Sequence, residues 1–438
     1  MQRRETRSRL FQAMKDIIAL PDLRRKLVFT LAVLAIFRFL VHVPLPGVDT
    51  VALSTLFEQN QLLGMLNLFS GGAMKNFSVA ALGVYPYITT SIIMQLLVPV
   101  IPALQRIAQE GESGQRRINR ITHLIMVPMA AIAGYGQLTL LRSQGIIGYI
   151  DPLNTAVMVI SLTTGTVLLI WLGELITERG IGNGISIIIF GGIVASLPDM
   201  IGRGFLAKED PLGLLVFIIL GLITLVAVVA FIEAHRRIPV QYARSSFRGG
   251  RMYRQSGSTY LPLRVNTAGM IPLIFALALM QFPSLVASYF MNPSGQSTNI
   301  WNGIYRIFDS GASLPLGLVY WGLYFILVMG FTFFYTMVVF EQMNLPKTLQ
   351  QQGGFIPGVR PGKTTAEYLN RVIKHLTFGG ALFLGVIAVM PFFAREITGV
   401  TILTISSTAL LIAVGVALDT MKQLESQLTM RRYDGFLK

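Results

Sequence analysis

The chain has 438 residues, of which 53% are hydrophobic and 13% charged. A soluble domain carries about 25% charged residues, so a soluble globular protein is excluded. The absence of cysteine excludes a disulfide framework and thiolate chemistry, and the four histidines (His42, His123, His235 and His375) lack metal-ligand spacing. What remains is an all-α polytopic membrane protein, because a helix needs about 20 apolar residues to cross a ~30 Å hydrocarbon core and many runs here approach that length.

Residues 1–26 carry eight Lys or Arg, with Leu10, Phe11, Met14, Ile17 and Ile18 at helical spacing. The pattern predicts an amphipathic cytoplasmic segment lying on the membrane surface. Ten spans follow, at about 27–43, 79–100, 121–140, 154–175, 184–201, 212–233, 268–290, 315–340, 376–394 and 400–419. Between the first two lies a shorter apolar piece, about 64–74, ending in Gly71 and Gly72. It is too short to cross a bilayer, so the pattern predicts a half-helix that enters the membrane region and hinges into a full span. Irregular backbone at that depth is tolerated only where protein shields it or a cavity is lined. The chain therefore reads as a first half, 27–201, an outer hinge loop, 202–211, a second half, 212–419, and a cytoplasmic tail, 420–438.

An even span count puts both termini on one side. Of the 36 Lys and Arg, 29 fall in segments on that side, 6 on the other, and Arg38 lies inside a span. Positive residues stay cytoplasmic in short loops, so both termini are expected in the cytoplasm. Two cytoplasmic loops are long and basic. In 235–267, Gly249-Gly250 separates β-prone runs and predicts a hairpin. In 342–375, Pro357, Gly358, Pro361 and Gly362 predict a stiff exposed turn that presents Arg360, and Thr364 with Glu367 has capping-box spacing for a helix running into the ninth span.

Several motifs carry less than they suggest. The glycines of Gly358-Val-Arg-Pro-Gly362-Lys363-Thr364 are one residue too close for a phosphate-binding loop, and its prolines remove N–H donors. Gly180-Ile-Gly182-Asn183-Gly184 reads as a tight turn between spans. Arg38, a charge inside an apolar span, is a functional candidate by default, but its position near the outer end favours snorkelling past His42. Glu174, Glu178, Glu233, Glu341 and Asp419 fall at cytoplasmic span ends and Glu396 at an outer end. No carboxylate is expected at mid-depth, which argues against an ion-coupled secondary transporter, the main rival reading. The pairs Val84/Ile88 and Ile185/Ile189 are i,i+4 apolar pairs, ordinarily packing.

Four stretches are specific: NLFSGGAMKNFSVAALGVYPYITTSIIMQLL, ITERGIGNGISIIIFGGIVASLP, LPLRVNTAGMIPLIFALALMQFP and GGFIPGVRPGKTTAEYL. In content and order they resemble the SecY family, the central subunits of bacterial Sec protein-conducting channels, and the resemblance runs from Pro44 to the tenth span. It implies ten helices in two pseudo-symmetric halves forming a clamshell around an hourglass pore, in the bacterial inner membrane, with no enzymatic activity and no cofactor. It implies a plug at Asn67, Leu68, Phe69, Ser70, Gly71, Gly72 and Ala73, and a pore ring of Val84, Ile88, Ile185, Ile189, Ile274 and Ile412. It further implies a lateral gate that includes Ile92, Gln95 and Phe282. Arg360 and Lys363, with Arg248, Arg251 and Arg254 of the other basic loop, would dock the motor and ribosomes. The implied partners are SecE and SecG subunits, the SecA ATPase, the ribosome, unfolded preprotein with its signal sequence, and the lipid bilayer.

The physics suits that role. A channel for unfolded polypeptide must accept any side chain, and an apolar ring binds none tightly while resisting ion leakage by dewetting. A scaffold or anchor would leave the short apolar piece and its Gly-Gly hinge without a purpose.

Overall fold

The computed structural model describes residues 20–46, 48, 53, 67, 70–143, 146–148, 151–206, 211–248, 251–267, 269, 271–290, 300–309, 315–343, 345–398 and 404–436. These residues are mostly helical. In chain order they form α1 (Pro21–Val41), α2 (Tyr85–Val100), α3 (Pro102–Gln109), α4 (Glu112–Ser143), α5 (Pro152–Arg179), α6 (Gly184–Leu206) and α7 (Pro211–Glu233). Strands β1 (His235–Arg248) and β2 (Arg251–Arg264) follow, then α8 (Ile271–Phe290), α9 (Ile300–Ile307), α10 (Leu316–Met343) and α11 (Leu345–Gln351). The chain ends with β3 (Gly354–Phe355), α12 (Lys363–Thr398) and α13 (Thr404–Phe436).

Each of the ten apolar stretches read from the sequence contains a helix. Four of the described helices are long and apolar enough to cross a membrane: Glu112–Arg142, Pro152–Arg179, Leu316–Gln351 and Lys363–Ala394. The pair α2 and α3 passes the same test together but is bent by 97°. Proline is the cause. Pro99 lies inside α2, Pro102 opens α3, and Ile101 between them is held extended (φ −96°, ψ 112°) by the proline after it. Large apolar side chains stand exposed along the long helices, among them Leu124, Ile160, Leu222, Ile326 and Val386. Such surface is stable only against lipid or protein.

Two compact units make up the chain: residues 1–211 with 278–317 and 401–438, and residues 212–277 with 318–400. In the first unit α2 packs on α4, α4 on α5, and α5 on α6; α1 lies against α5 and α6, and α13 against α6. Small residues let α5 and its neighbours approach closely. A Cβ on Gly184 would strike the carbonyl of Gly173, and one on Gly165 the carbonyl of Val79. The apolar core here joins Leu45, Leu53, Phe77, Ala81 and Leu82 to Ala130, Leu138, Leu141, Met158 and Leu162. Buried threonines on these helices, such as Thr122 and Thr166, return their hydroxyls to the carbonyl four residues back. That leaves no unpaired polar group at those positions.

The second unit combines helices with the two long basic loops. Phe231 of α7 stacks on Phe383 of α12, Trp321 of α10 packs on Phe392 of α12, and Phe275 of α8 meets Phe331 and Tyr335 of α10 edge-on. The expected hairpin forms: β1 and β2 pair antiparallel from His235↔Arg264 to Arg248↔Arg251, across Gly249-Gly250. The sequence did not reveal β3, which pairs with β1 at Gln241↔Phe355 and Tyr242↔Gly354. Beneath this sheet Ile238, Val240 and Leu263 share one core with Phe340, Leu349, Ile356, Leu369 and Ile373. The two basic loops are thus one packed body.

Candidate functional site: the segment between α1 and α2

Residues 70–84 depart from the expected half-helix and from the expected start of the second span at 79. They form a succession of turns, and α2 begins only at Tyr85. The reason is backbone handedness. Gly71 (φ 68°) and Gly72 (φ 90°) adopt the left-handed region, and Phe77 does so as well (φ 43°). No right-handed helix continues through such residues. For Phe77 this conformation carries strain, which burial in the core described above holds in place; the residue is 0% exposed. Of the seven residues matched to a plug, Asn67 is helical, Ser70 to Ala73 lie in turns, and Leu68 and Phe69 fall outside the described residues.

The turns are held from within and from α1. Asn67 accepts bonds from the Gly72 N–H at its carbonyl (2.9 Å) and the Lys75 N–H at its Oδ1 (2.8 Å). Ser70 Oγ donates to the Asn67 carbonyl at 2.9 Å and accepts from the Met74 N–H at 3.1 Å. Past the end of α1, the Leu45 N–H donates to the Phe77 carbonyl (2.9 Å) and the Val79 N–H to the Val43 carbonyl (3.1 Å). These two bonds flank an antiparallel bridge between Pro44 and Ser78. Arg38, expected to snorkel, does otherwise: its Nη1 donates to the carbonyl of Gly71 at 2.8 Å.

The residues matched to a pore ring are distributed as follows. Val84 caps α2 and Ile88 lies in its first turn; Ile185 and Ile189 lie on α6; Ile412 lies on α13. Val84, Ile88, Ile189 and Ile412 are buried and Ile185 half-buried, its Cγ1 packing toward Gly173 of α5. All five belong to the first unit, whereas Ile274, half-buried on α8, belongs to the second. Of the residues matched to a lateral gate, Ile92 is buried, Gln95 is half-buried and donates to Ser91 Oγ at 3.4 Å, and Phe282 is exposed on α8.

The docking candidates cluster on the second unit. Arg360 is exposed on a turn between β3 and α12, between Gly358 (φ 81°) and Gly362 (φ 105°). Its carbonyl accepts the Thr365 hydroxyl at 2.8 Å, which fixes the turn against the helix start. The expected capping pair of Thr364 and Glu367 is not what starts α12; the helix opens one residue earlier, at the exposed Lys363. Arg248 and Arg251 close the hairpin register and Arg254 sits on β2; their side chains lie outside the described residues.

One cluster escaped the sequence reading. His123 Nε2 lies 3.4 Å from Glu174 Oε1, joining α4 to α5, and the ring of Tyr87 from α2 lies 5.6 Å from the imidazole. Separations of 36 and 51 residues gave no pattern to find it by. Among the described residues no group of three or more acidic or histidine side chains is placed to hold a metal.

The fold is shared with solved protein-conducting channels. The SecY family profile matches residues 78–421, and the chain belongs to that family. It is 40% identical to the protein translocase subunit SecY of Thermus thermophilus, over 98% of both chains. It is 42% identical to that of Mycobacterium tuberculosis, over 95% of this chain and 97% of that one. Among solved structures it resembles a protein-conducting channel with TM-score 0.64 at 20% identity, covering 92% of each chain. It also resembles Sec61 from a canine ribosome–channel complex, with TM-score 0.62 at 20% identity and the same coverage.

Proposed function

We propose that the chain passes unfolded secretory polypeptides across the bacterial inner membrane and releases transmembrane segments sideways into lipid. Ten spans with both termini cytoplasmic carry the path, in two halves, 27–201 and 212–419. Asn67 to Ala73 stop it at rest. Val84, Ile88, Ile185, Ile189, Ile274 and Ile412 close around the passing strand, and Ile92, Gln95 and Phe282 border the lateral seam. The observation that carries this reading is the clamped, non-helical segment 70–84 leading directly into Val84 and Ile88, in a chain that matches translocase subunits over nearly its whole length. A stopper followed at once by apolar side chains is what a sealed, non-selective path requires.

The basic hairpin and the Arg360 turn form the cytoplasmic docking platform for the SecA motor and for ribosomes, whose acidic surfaces attract cations. SecE and SecG complete the complex. The chain itself performs no catalysis, and the energy of transport comes from its partners. The test is crosslinking. The chain has no cysteine, so single cysteines at Ile88 and Ile274 report without background on a stalled secretory chain. Adducts at both positions are expected, and their absence from both would overturn the path.

A further inference from the structure

We propose that Arg38 is the latch of the closed state: its guanidinium holds the stopper segment by the backbone carbonyl of Gly71. The inference rests on reading residues 67–73 as the stopper and assigns the residue that keeps it seated.

Phe37 and Arg38, adjacent near the end of α1, engage the same residue of the turn segment. A Cβ on Gly71 would lie 2.8 Å from Phe37 Cζ and 2.9 Å from Gly192 Cα of α6. Gly71 therefore sits wedged between α1 and α6, and its carbonyl is turned to Arg38 Nη1 at 2.8 Å. Among the described residues no carboxylate lies within ion-pair distance of Arg38. A cation in an apolar span needs a partner, and here a main-chain oxygen of the stopper supplies one. Such a charge-assisted bond is stronger than a neutral one, yet weaker than a buried ion pair, as suits a contact that must break at each opening. Arg38 is tied in turn to the end of its own helix, because His42 Nδ1 lies 2.8 Å from the Arg38 carbonyl.

The acceptor is backbone, so the latch itself uses no side chain of the stopper, and Arg38 is the side chain that makes it. The flanking bonds between 43–45 and 77–79 lie beyond Gly71 and hold the segment's other end. Loss of Arg38 therefore frees the tip while the base stays anchored.

The experiment is resting ion conductance of the full chain, assembled with its membrane partners in a planar bilayer, for Arg38→Met, Arg38→Lys and a deletion of residues 67–73. Arg38→Met should raise the closed-state leak roughly tenfold, the change expected from losing one charge-assisted hydrogen bond; Arg38→Lys, which keeps a charge and a donor but not the planar fork, should raise it less. A single cysteine at Lys75 gives a second readout, and an impermeant maleimide should label it several-fold faster in the Arg38→Met background. A leaky deletion beside tight Arg38 variants with unchanged labelling overturns the latch and leaves the stopper standing. A tight deletion overturns the stopper itself. If Arg38→Met does not assemble, Arg38→Lys decides alone: a raised leak supports the latch and an unchanged one overturns it.

Discussion

The hydroxyl of Thr30 on α1 accepts a hydrogen bond from the backbone N–H of Ile181 at 3.2 Å and donates its own proton to the Lys26 carbonyl at 2.9 Å. It thereby fastens α1 to the tight connection between α5 and α6. The fit leaves no slack, since a Cβ on Gly180 would lie 2.6 Å from Thr30 Oγ1. Thr30 is buried, so Thr30→Val leaves the Ile181 N–H unsatisfied at a cost of about 1–3 kcal/mol. Thermal unfolding of the purified chain in detergent should show a lowered midpoint; an unchanged midpoint would count against this fastening.

Gly165 of α5 makes a second close approach, to the carbonyl of Val79 where the turn segment enters the core. Even the methyl of Gly165→Ala would collide with backbone, which cannot swing aside as a side chain does. Overpacking of this kind costs about 1–3 kcal/mol. The variant should accumulate to a lower level in membranes and be cleaved faster by protease near residues 70–84. Wild-type accumulation and cleavage together would show that α5 and the segment have room to separate.

Leu369 on α12 is fully buried beneath the hairpin, among Ile238, Val240 and Ile356. Leu369→Ala should cost about 2–5 kcal/mol through lost burial and the cavity left behind. Because this core joins the two basic loops, limited proteolysis should cut the hairpin sooner while the apolar helices stay protected. Equal protection of the hairpin in Leu369→Ala and the wild type would mean that the loops do not depend on each other.

Arg360 is exposed, and it is its backbone carbonyl that ties it to the turn. Arg360→Glu should therefore leave folding and membrane insertion intact and reduce SecA-driven export into vesicles by at least about tenfold, through charge reversal at a contact. Export at the wild-type rate would remove Arg360 from the docking platform.

Ile412 is buried on α13. Ile412→Asn places an amide at a position proposed for a dry ring, and hydrated constrictions gate poorly. Export of precursors with defective signal sequences should rise several-fold at equal channel abundance. Unchanged discrimination would take Ile412 out of the ring.

The sequence determined the class of this protein. Apolar run lengths and the siting of Lys and Arg are local properties, and every apolar stretch read as a span contains a helix. The hairpin was legible for the same reason, since Gly249-Gly250 between β-prone runs specifies its own pairing. The family likewise declared itself in four contiguous stretches.

Tertiary structure alone decided the state of the segment between α1 and α2. Composition pointed to a half-helix at 64–74; among the described residues of that stretch Asn67 is helical and 70–74 lie in turns, with Gly71 and Gly72 at positive φ, and Gly71 is wedged between α1 and α6 while Phe77 is buried in the core. Arg38 shows the same limit. Charge and depth in one span made snorkelling the favoured reading, and nothing local to α1 announces that a carbonyl 33 residues away will face it. The pairing of β3 with β1 and the meeting of His123 with Glu174 were hidden alike. Periodicity reports which way a side chain faces relative to its own helix or strand. The partner it meets is fixed only when separate elements are brought together, and in this chain those meetings hold the segment between α1 and α2 in place.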